Sequence, residues 1–167
     1  VAPSQWLGEH LSSSFLQSYP IKIIHNGINL DLFRPAANNG IKLKYGIDHR
    51  SMILGVASVW QERKGLDDFF ELNNLKNLES VIVLVGLTPR QIRRLPKGIV
   101  GISRTENTAE LASLYSAADV FVNPTWVDNF PTTNIEALAC GTPVVTYKTG
   151  GSPEAIDEHT GLVVERG

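Results

Sequence analysis

Three neighbouring pieces of the sequence decide the fold: Val120-Phe-Val122, then Asp128-Asn-Phe-Pro-Thr-Thr-Asn-Ile-Glu-Ala-Leu-Ala-Cys-Gly141, then Pro143-Val-Val-Thr-Tyr147. The outer two are short apolar runs rich in valine, as buried strands require. The middle piece opens as a polar turn with an acid and a proline. It then becomes a helix of small residues carrying a second acid, Glu136. Strand, helix, strand is a βαβ unit.

The same alternation extends in both directions. Ile53-Leu-Gly-Val-Ala57, Val81-Ile-Val-Leu-Val85 and the weaker run at residues 99–102 read as strands upstream, and Leu162-Val-Val164 reads as one downstream. Leu66, Phe69 and Phe70 mark a helix, and a short one is predicted over residues 90–95. Asn107-Thr-Ala-Glu110 resembles a capping box opening an amphipathic helix through Leu111, Leu114, Tyr115 and Ala118. Ser152-Pro153 predicts another helix start, with serine as N-cap and proline in the first turn. Near the N-terminus, Ser4 reads as an N-cap, with Leu7, Leu11 and Phe15 at helical spacing behind it. Residues 21–24 read as a strand, Asn26-Gly27 as a turn, and residues 36–40 as a polar loop. Several strands are apolar on both faces, which parallel sheets need. The expected fold class is α/β, with a doubly wound, mostly parallel Rossmann-like sheet that binds ligands at the carboxyl ends of its strands.

Bulk properties bound the function. With 167 residues the chain has the size of one domain, and at 43% hydrophobic it can bury a core. A net charge of −2 argues against nucleic acid or an anionic membrane as the main partner. The single cysteine, Cys140, excludes a disulfide framework and fits a reducing, cytoplasmic compartment. Its apolar neighbours make it a small core residue. No apolar run approaches the ~20 residues of a membrane span, and no secretory signal is seen. The chain starts at Val1 and its only methionine is Met52, so a piece of a longer protein is expected. His10, His25, His49 and His159 lack metal-ligand spacing. Arg90, Arg93, Arg94 and Lys97 read as a solvated basic face.

Three loops fall at predicted strand ends and are expected to face one crevice: residues 58–65, the stretch that opens at Asp128 and runs to Glu136, and Lys148-Thr-Gly-Gly-Ser-Pro153. In the first, Arg63 and Lys64 precede a helix, where they oppose its dipole unless an anion sits there. They fit either an anion site or two solvated cations. In the second, Pro131 is expected at the first helical position, leaving the amides of Thr132, Thr133 and Asn134 without intrahelical acceptors. Asp128 and Glu136 bracket these donors. Carboxylates repel phosphate but accept hydrogen bonds from sugar hydroxyls, so a diphosphate flanked by two sugars, a nucleotide sugar, satisfies the set. A competing reading is that Thr133-x-x-Glu136 is a capping box and Asp128 only shapes a turn. Gly150-Gly151 is either a plain turn or a place of close backbone approach. For Trp126, lining the crevice and closing it are both open.

At these residues the chain resembles the C-terminal, donor-binding domain of a GT-B fold glycosyltransferase of family 4, the glycosyl transferases group 1. The resemblance runs through Val1-Ala-Pro-Ser-Gln-Trp-Leu7, Ile24-His-Asn-Gly-Ile-Asn-Leu-Asp-Leu-Phe-Arg-Pro35, Arg63-Lys-Gly65, Leu114-Tyr-Ser-Ala-Ala-Asp-Val-Phe-Val-Asn-Pro124, residues 128–141, Thr142-Pro-Val-Val145 and Gly150-Gly-Ser-Pro-Glu154. It implies one of the two domains of a GT-B fold, with residues 1–35 as the interdomain crossing and first helix, and residues 36–167 as the donor domain, cut short at its C-terminus. It implies that Glu136 binds the nucleotide ribose, Asp128 the donor sugar, and Lys64 the diphosphate. Phe130, Pro131, Thr132, Thr133 and Asn134 form the loop around it, and the loop at residues 103–107 neighbours the base.

The sequence departs from the family at Asp128, where Glu is usual, and at Ala57-Ser-Val-Trp60, where many relatives carry Gly-Arg-Leu. Arg63 is the candidate to supply that missing cation. Asn29 stands where Asp is frequent and is read as structural. The implied parent is a retaining, metal-independent glycosyltransferase with no cofactor beyond a UDP- or GDP-linked donor. Its glycan or lipid-linked acceptor would be held by a missing N-terminal domain, which could also bring the protein to the inner membrane face. The fragment alone is expected to turn over little or nothing. Two alternatives are a GT-B-type nucleotide-sugar epimerase and a non-catalytic sugar-nucleotide-binding module; the latter has no need of Arg63 and Lys64 together with Glu136.

Overall fold

The structure, a computed structural model, describes residues 1–36, 40–47, 50–75 and 80–167. Most of the predicted loop at 36–40 and His49 lie outside the described residues. Six strands form one sheet: β1 (Met52–Val56), β2 (Val81–Val85), β3 (Ile99–Ile102), β4 (Val120–Asn123), β5 (Val144–Tyr147) and β6 (Gly161–Val164). Their order is β3-β2-β1-β4-β5-β6, and all neighbouring pairs are parallel. The direction of winding reverses between β1 and β4, so the sheet is doubly wound, with its crevice where the strand order switches.

Alternation along the strands divides the core into two layers. Met52 and Leu54 of β1, with Val81, Val83 and Val85 of β2, face α5 (Thr108–Ala117) and α6 (Thr132–Ala139). Ile53, Ile82 and Leu84 point the other way, onto Phe69 of α3 (Leu66–Asn73) and Trp60. The Trp60 indole nitrogen, buried in that layer, donates to the Val85 carbonyl at 2.8 Å. Two further helices complete the described set on the sheet, α2 (Ile41–Lys44) and α4 (Pro89–Ile92). The sequence pattern did not announce α2. It is tied to α5 by Lys44, whose Nζ lies 2.7 Å from Glu106 and 2.6 Å from Glu110.

Helix α1 (Gln5–Ser12) begins behind Ser4, whose hydroxyl accepts the Leu7 amide at 3.1 Å. Its first two amides donate to Glu154 at 2.7 and 2.9 Å, a carboxylate placed where the helix dipole favours it. Phe33 inserts into the α5 layer, so residues 1–35 are docked on the sheet domain.

Several local expectations need correction. Residues 21–24 form no strand: Ile23 makes a single parallel bridge to Ala2, because no further strand lies beside it. Helix α1 stops at Ser12, and Phe15 is 89% exposed. The helix predicted over residues 90–95 is α4, which Thr88 and Gln91 open with a reciprocal capping box. At α5, Asn107 caps the Glu110 amide at 2.9 Å, but the Glu110 carboxylate reaches the Glu106 amide instead of that of Asn107. Ser152 is inside its 3₁₀ turn (Ser152–Ala155), with Gly151 at the cap. Arg90, Arg93, Arg94 and Lys97 are all exposed, and Cys140 is buried, as read from the sequence.

Gly55, in the middle of β1, allows close packing in the core. A Cβ there would lie 2.5 Å from Phe69 Cζ and 2.8 Å from Leu84 Cδ2, both fully buried side chains. Gly55→Ala is therefore expected to destabilise by ~1–3 kcal/mol, the usual cost of overpacking. Denaturant unfolding would show the midpoint falling with an unchanged slope.

Candidate functional site

A cavity of about 700 Å³ opens at the carboxyl ends of β1, β2 and β3 and is closed on its far side by the β4–α6 loop and α6. Its charged lining consists of Lys64, Arg104, Asp128 and Glu136. Phe130, Pro131, Thr132 and Thr133 form the wall between the two acids. Ser103, Arg104 and Thr105 bring the loop after β3 to the same space, where a base was expected.

The β4–α6 loop is gripped from both sides by backbone. On one side the Trp126 amide donates to the Arg63 carbonyl at 2.8 Å. On the other the Gly151 amide donates to the Asp128 carbonyl at 2.9 Å, and the Thr149 hydroxyl donates to the Thr125 carbonyl at 2.6 Å. Gly150 and Gly151 are required by this contact. A Cβ on Gly150 would sit 2.2 Å from the Asp128 carbonyl oxygen, and one on Gly151 1.9 Å from that of Asn129. The third loop thus supports the second from behind and does not line the cavity among the described residues. Trp126 sits behind the cavity wall, its ring covered by the Arg166 guanidinium 3.7 Å from the centroid.

So held, Asp128 meets Lys64: Nζ lies 2.6 Å from Oδ2, and each side chain is about one-fifth exposed. Arg63 does not join them. Lys64 and Arg63 share a 3₁₀ turn (Glu62–Lys64), in which successive side chains point about a third of a turn apart. Arg63 therefore faces outward, donating to the Val127 carbonyl at 3.2 Å, and braces the loop without entering the cavity. The cation other than Lys64 that lines the cavity is Arg104, which no sequence motif marks.

Pro131 is the N-cap of α6 and not its first residue, with φ −68° and ψ 115°. Thr132 and Thr133 then occupy the first two helical positions, where amides lack intrahelical acceptors; no other acceptor is found for them among the described residues. The Asn134 amide turns back to the Pro131 carbonyl at 3.2 Å. Its side chain is fully buried, accepting from Asn123 at 2.8 Å and donating to the Ser152 carbonyl at 3.1 Å. Asn134 thus ties α6 to β4 and to the 3₁₀ turn after β5, away from the cavity lining.

Because α6 starts at Thr132, Thr133 is not its cap and Glu136 closes no capping box. Glu136 Oε2 instead accepts the Tyr115 hydroxyl of α5 at 3.0 Å. Burial raises the Glu136 carboxyl above its ordinary range, opposed by the hydroxyls of Tyr115 and Thr132. Burial likewise holds the Tyr115 phenol well above its usual value, with the Glu136 charge adding to it. In the sequence Tyr115 reads only as an apolar helix position. A tyrosine in a buried stripe is nonetheless a signal, since its hydroxyl needs a partner. On the outer wall, His25 stacks on Phe130 at 4.7 Å, linking residues 1–35 to the site.

Chemically, the site places a lysine ammonium and two free helix amides between two carboxylates. The cationic and amide donors suit a diphosphate; the carboxylates suit hydroxyl donors on either side.

The profile of the family described as glycosyl transferases group 1 matches residues 50–167. A D-inositol 3-phosphate glycosyltransferase of Segniliparus rotundus is 29% identical over 99% of this chain and 40% of its own length. One from Mycobacteroides abscessus is 32% identical over 86% of the chain and 35% of its own length. The chain thus spans 40% or less of these curated relatives. Among solved structures, sucrose-phosphate synthase of Thermosynechococcus elongatus superposes with a TM-score of 0.84 at 26% identity, over 98% of this chain and 44% of the other. HepE of Anabaena, described in complex with UDP-glucose, has a TM-score of 0.80 at 20% identity, over 99% and 49%. These structures share the fold of this chain.

A carboxyl whose folded-state pKa lies above its unfolded value loses stability as pH rises from the unfolded value through the folded one. Glu136 is such a group. Glu136→Gln keeps an acceptor for Tyr115 and removes the charge. Thermal unfolding is expected to show it more stable than the native protein at pH 7, with the advantage shrinking as pH falls through the folded pKa and lost below the unfolded value of 4.5, where the native carboxyl is protonated in both states.

Proposed function

The chain belongs to the glycosyl transferases group 1 family, and from that premise we propose that it supplies the donor-binding half of the cleft in a retaining, metal-independent GT-B glycosyltransferase. On this reading residues 1–35 carry the chain across from the acceptor domain and residues 36–167 hold a nucleoside diphosphate sugar. The observation that carries it is the order of groups along the cavity: Asp128 with Lys64, then the free amides of Thr132 and Thr133, then Glu136.

In the proposed reaction the bond between the sugar's anomeric carbon and a diphosphate oxygen breaks, its electron pair staying on the diphosphate, while the acceptor hydroxyl oxygen bonds that carbon and its proton passes to the departing diphosphate. Negative charge gathers on the leaving diphosphate. The α6 amides are fixed where that charge develops, and preorganised donors of this kind lower the barrier without having to reorient; Lys64, paired with Asp128 in the free protein, adds its charge on turning to the phosphate. Asp128 accepts from hydroxyls of the transferred sugar and Glu136 from those of the ribose, fixing the donor's orientation. Neither is assigned as a general base. Arg63 contributes indirectly, through the loop it braces. The donor is UDP- or GDP-linked, and HepE's complex with UDP-glucose makes the uridine nucleotide the first to try. A glycan or lipid-linked acceptor would be bound outside this chain. No helix among the described residues is long and apolar enough to cross a membrane; a cytoplasmic site of action is part of the proposal.

Calorimetric titration with UDP and with GDP tests the reading. Saturable binding of one nucleotide is expected, weakened about 10-fold or more in both Glu136→Ala and Lys64→Ala, the loss of a charge-assisted hydrogen bond. Binding unchanged in both variants, or no binding of either nucleotide by the folded protein, overturns it.

A further inference from the structure

We infer that Tyr115 is the positioning residue of this site: its hydroxyl, fixed by the core, holds one oxygen of Glu136 so that the carboxylate is presented to a ribose diol before the nucleotide arrives. The inference rests on the donor-site reading above and assigns to it a residue that does not touch the ligand.

Tyr115 is fully buried, although it belongs to α5 and not to the helix that carries Glu136. Its ring is held edge-on by Phe121 at 5.4 Å and 73°, and by Phe33 at 6.2 Å and 69°. Its carbonyl accepts the Thr142 hydroxyl at 2.5 Å. A phenol packed this way cannot follow a wandering carboxylate, so the carboxylate must come to it. The 3.0 Å bond to Glu136 Oε2 is the one hydrogen bond found for this hydroxyl among the described residues. Phenylalanine would fill the same space between α5, α6 and the sheet. A buried hydroxyl is costly unless partnered, so its presence here is explained by the carboxylate it holds.

Glu136 has one oxygen on Tyr115 while its side chain lines the cavity. A glutamate free to sample its rotamers would lose that freedom on binding, whereas one already anchored loses little. The phenol also stabilises the charged form against burial. The other charged or titratable groups around the carboxylate are Cys140 one turn along α6, and Lys64, Asp128 and Arg104 across the cavity.

The test is titration of UDP into the native protein, Tyr115→Phe, Phe121→Leu and Glu136→Ala between pH 5 and 8. Taking ratios of affinities at each pH cancels the nucleotide's own titration. Tyr115→Phe is expected to bind UDP about 5–20-fold more weakly at pH 7.5, the loss of one oriented hydrogen bond. Its deficit should widen as pH falls, because without the phenol Glu136 protonates at higher pH. Phe121→Leu loosens the same packing but leaves the hydroxyl in place, and should keep the native pH profile. Native affinity in Tyr115→Phe, or a pH-independent loss matched by Phe121→Leu, overturns the positioning role while Glu136→Ala still binds weakly. Native affinity in Glu136→Ala removes the donor-site reading itself, and this inference with it.

Discussion

The site depends on a contact between two stretches of backbone. Gly150 and Gly151 lie so close to Asp128 and Asn129 that no side chain fits between them. That contact joins the loop after β5 to the loop after β4, while the Trp126 amide joins the latter to the turn after β1. Three strand ends are thereby set at fixed distances. The Lys64–Asp128 pair and the half-buried start of α6 both follow from that spacing. A methyl group at either glycine would collide with the Asp128 or Asn129 backbone and displace the loop.

The groups so positioned are costly for the fold. Glu136 is a partly buried carboxyl whose charge burial opposes, and two α6 amides lack acceptors. The Lys64–Asp128 pair exchanges hydration for one contact, and such pairs contribute little net stability. The two apolar layers, with β2 buried along its whole length, carry the stability that offsets them. Local rules are broken at the crevice and obeyed in the core, which is the pattern expected of a binding site on a stable sheet.

The strands were legible because each is a short apolar run bounded by turn residues, and β2 and β3 fall on the predicted bounds. The run at residues 21–24 had the same local character but no sheet to join, and pairing is a property of neighbours. Asp128 and Glu136 could be found from their spacing around Pro131. Arg63 and Lys64 looked equivalent as letters; the 3₁₀ turn separates them by direction, which no composition argument encodes. Asn134 shows the converse. Its place at a helix start suggested a ligand, yet Asn123 and Ser152, distant in sequence, claim its side chain. Tyr115 was hidden because its role lies across a helix–helix contact, where periodicity reports burial and is silent on partners.

The charge balance of the cavity adds a constraint on how a donor is received. Lys64 and Asp128 cancel one another in the free protein, and Glu136 and Arg104 stand as single charges of opposite sign. The lining is therefore close to neutral, with no strong positive field to draw in a diphosphate. On the donor-site reading, recognition rests on local donors: the α6 amides first, then Lys64 as it turns from Asp128 to phosphate. Asp128, released from that pair, gains acceptor capacity for sugar hydroxyls at the same moment. On that reading diphosphate and sugar binding are interdependent, since each opens the Lys64–Asp128 pair.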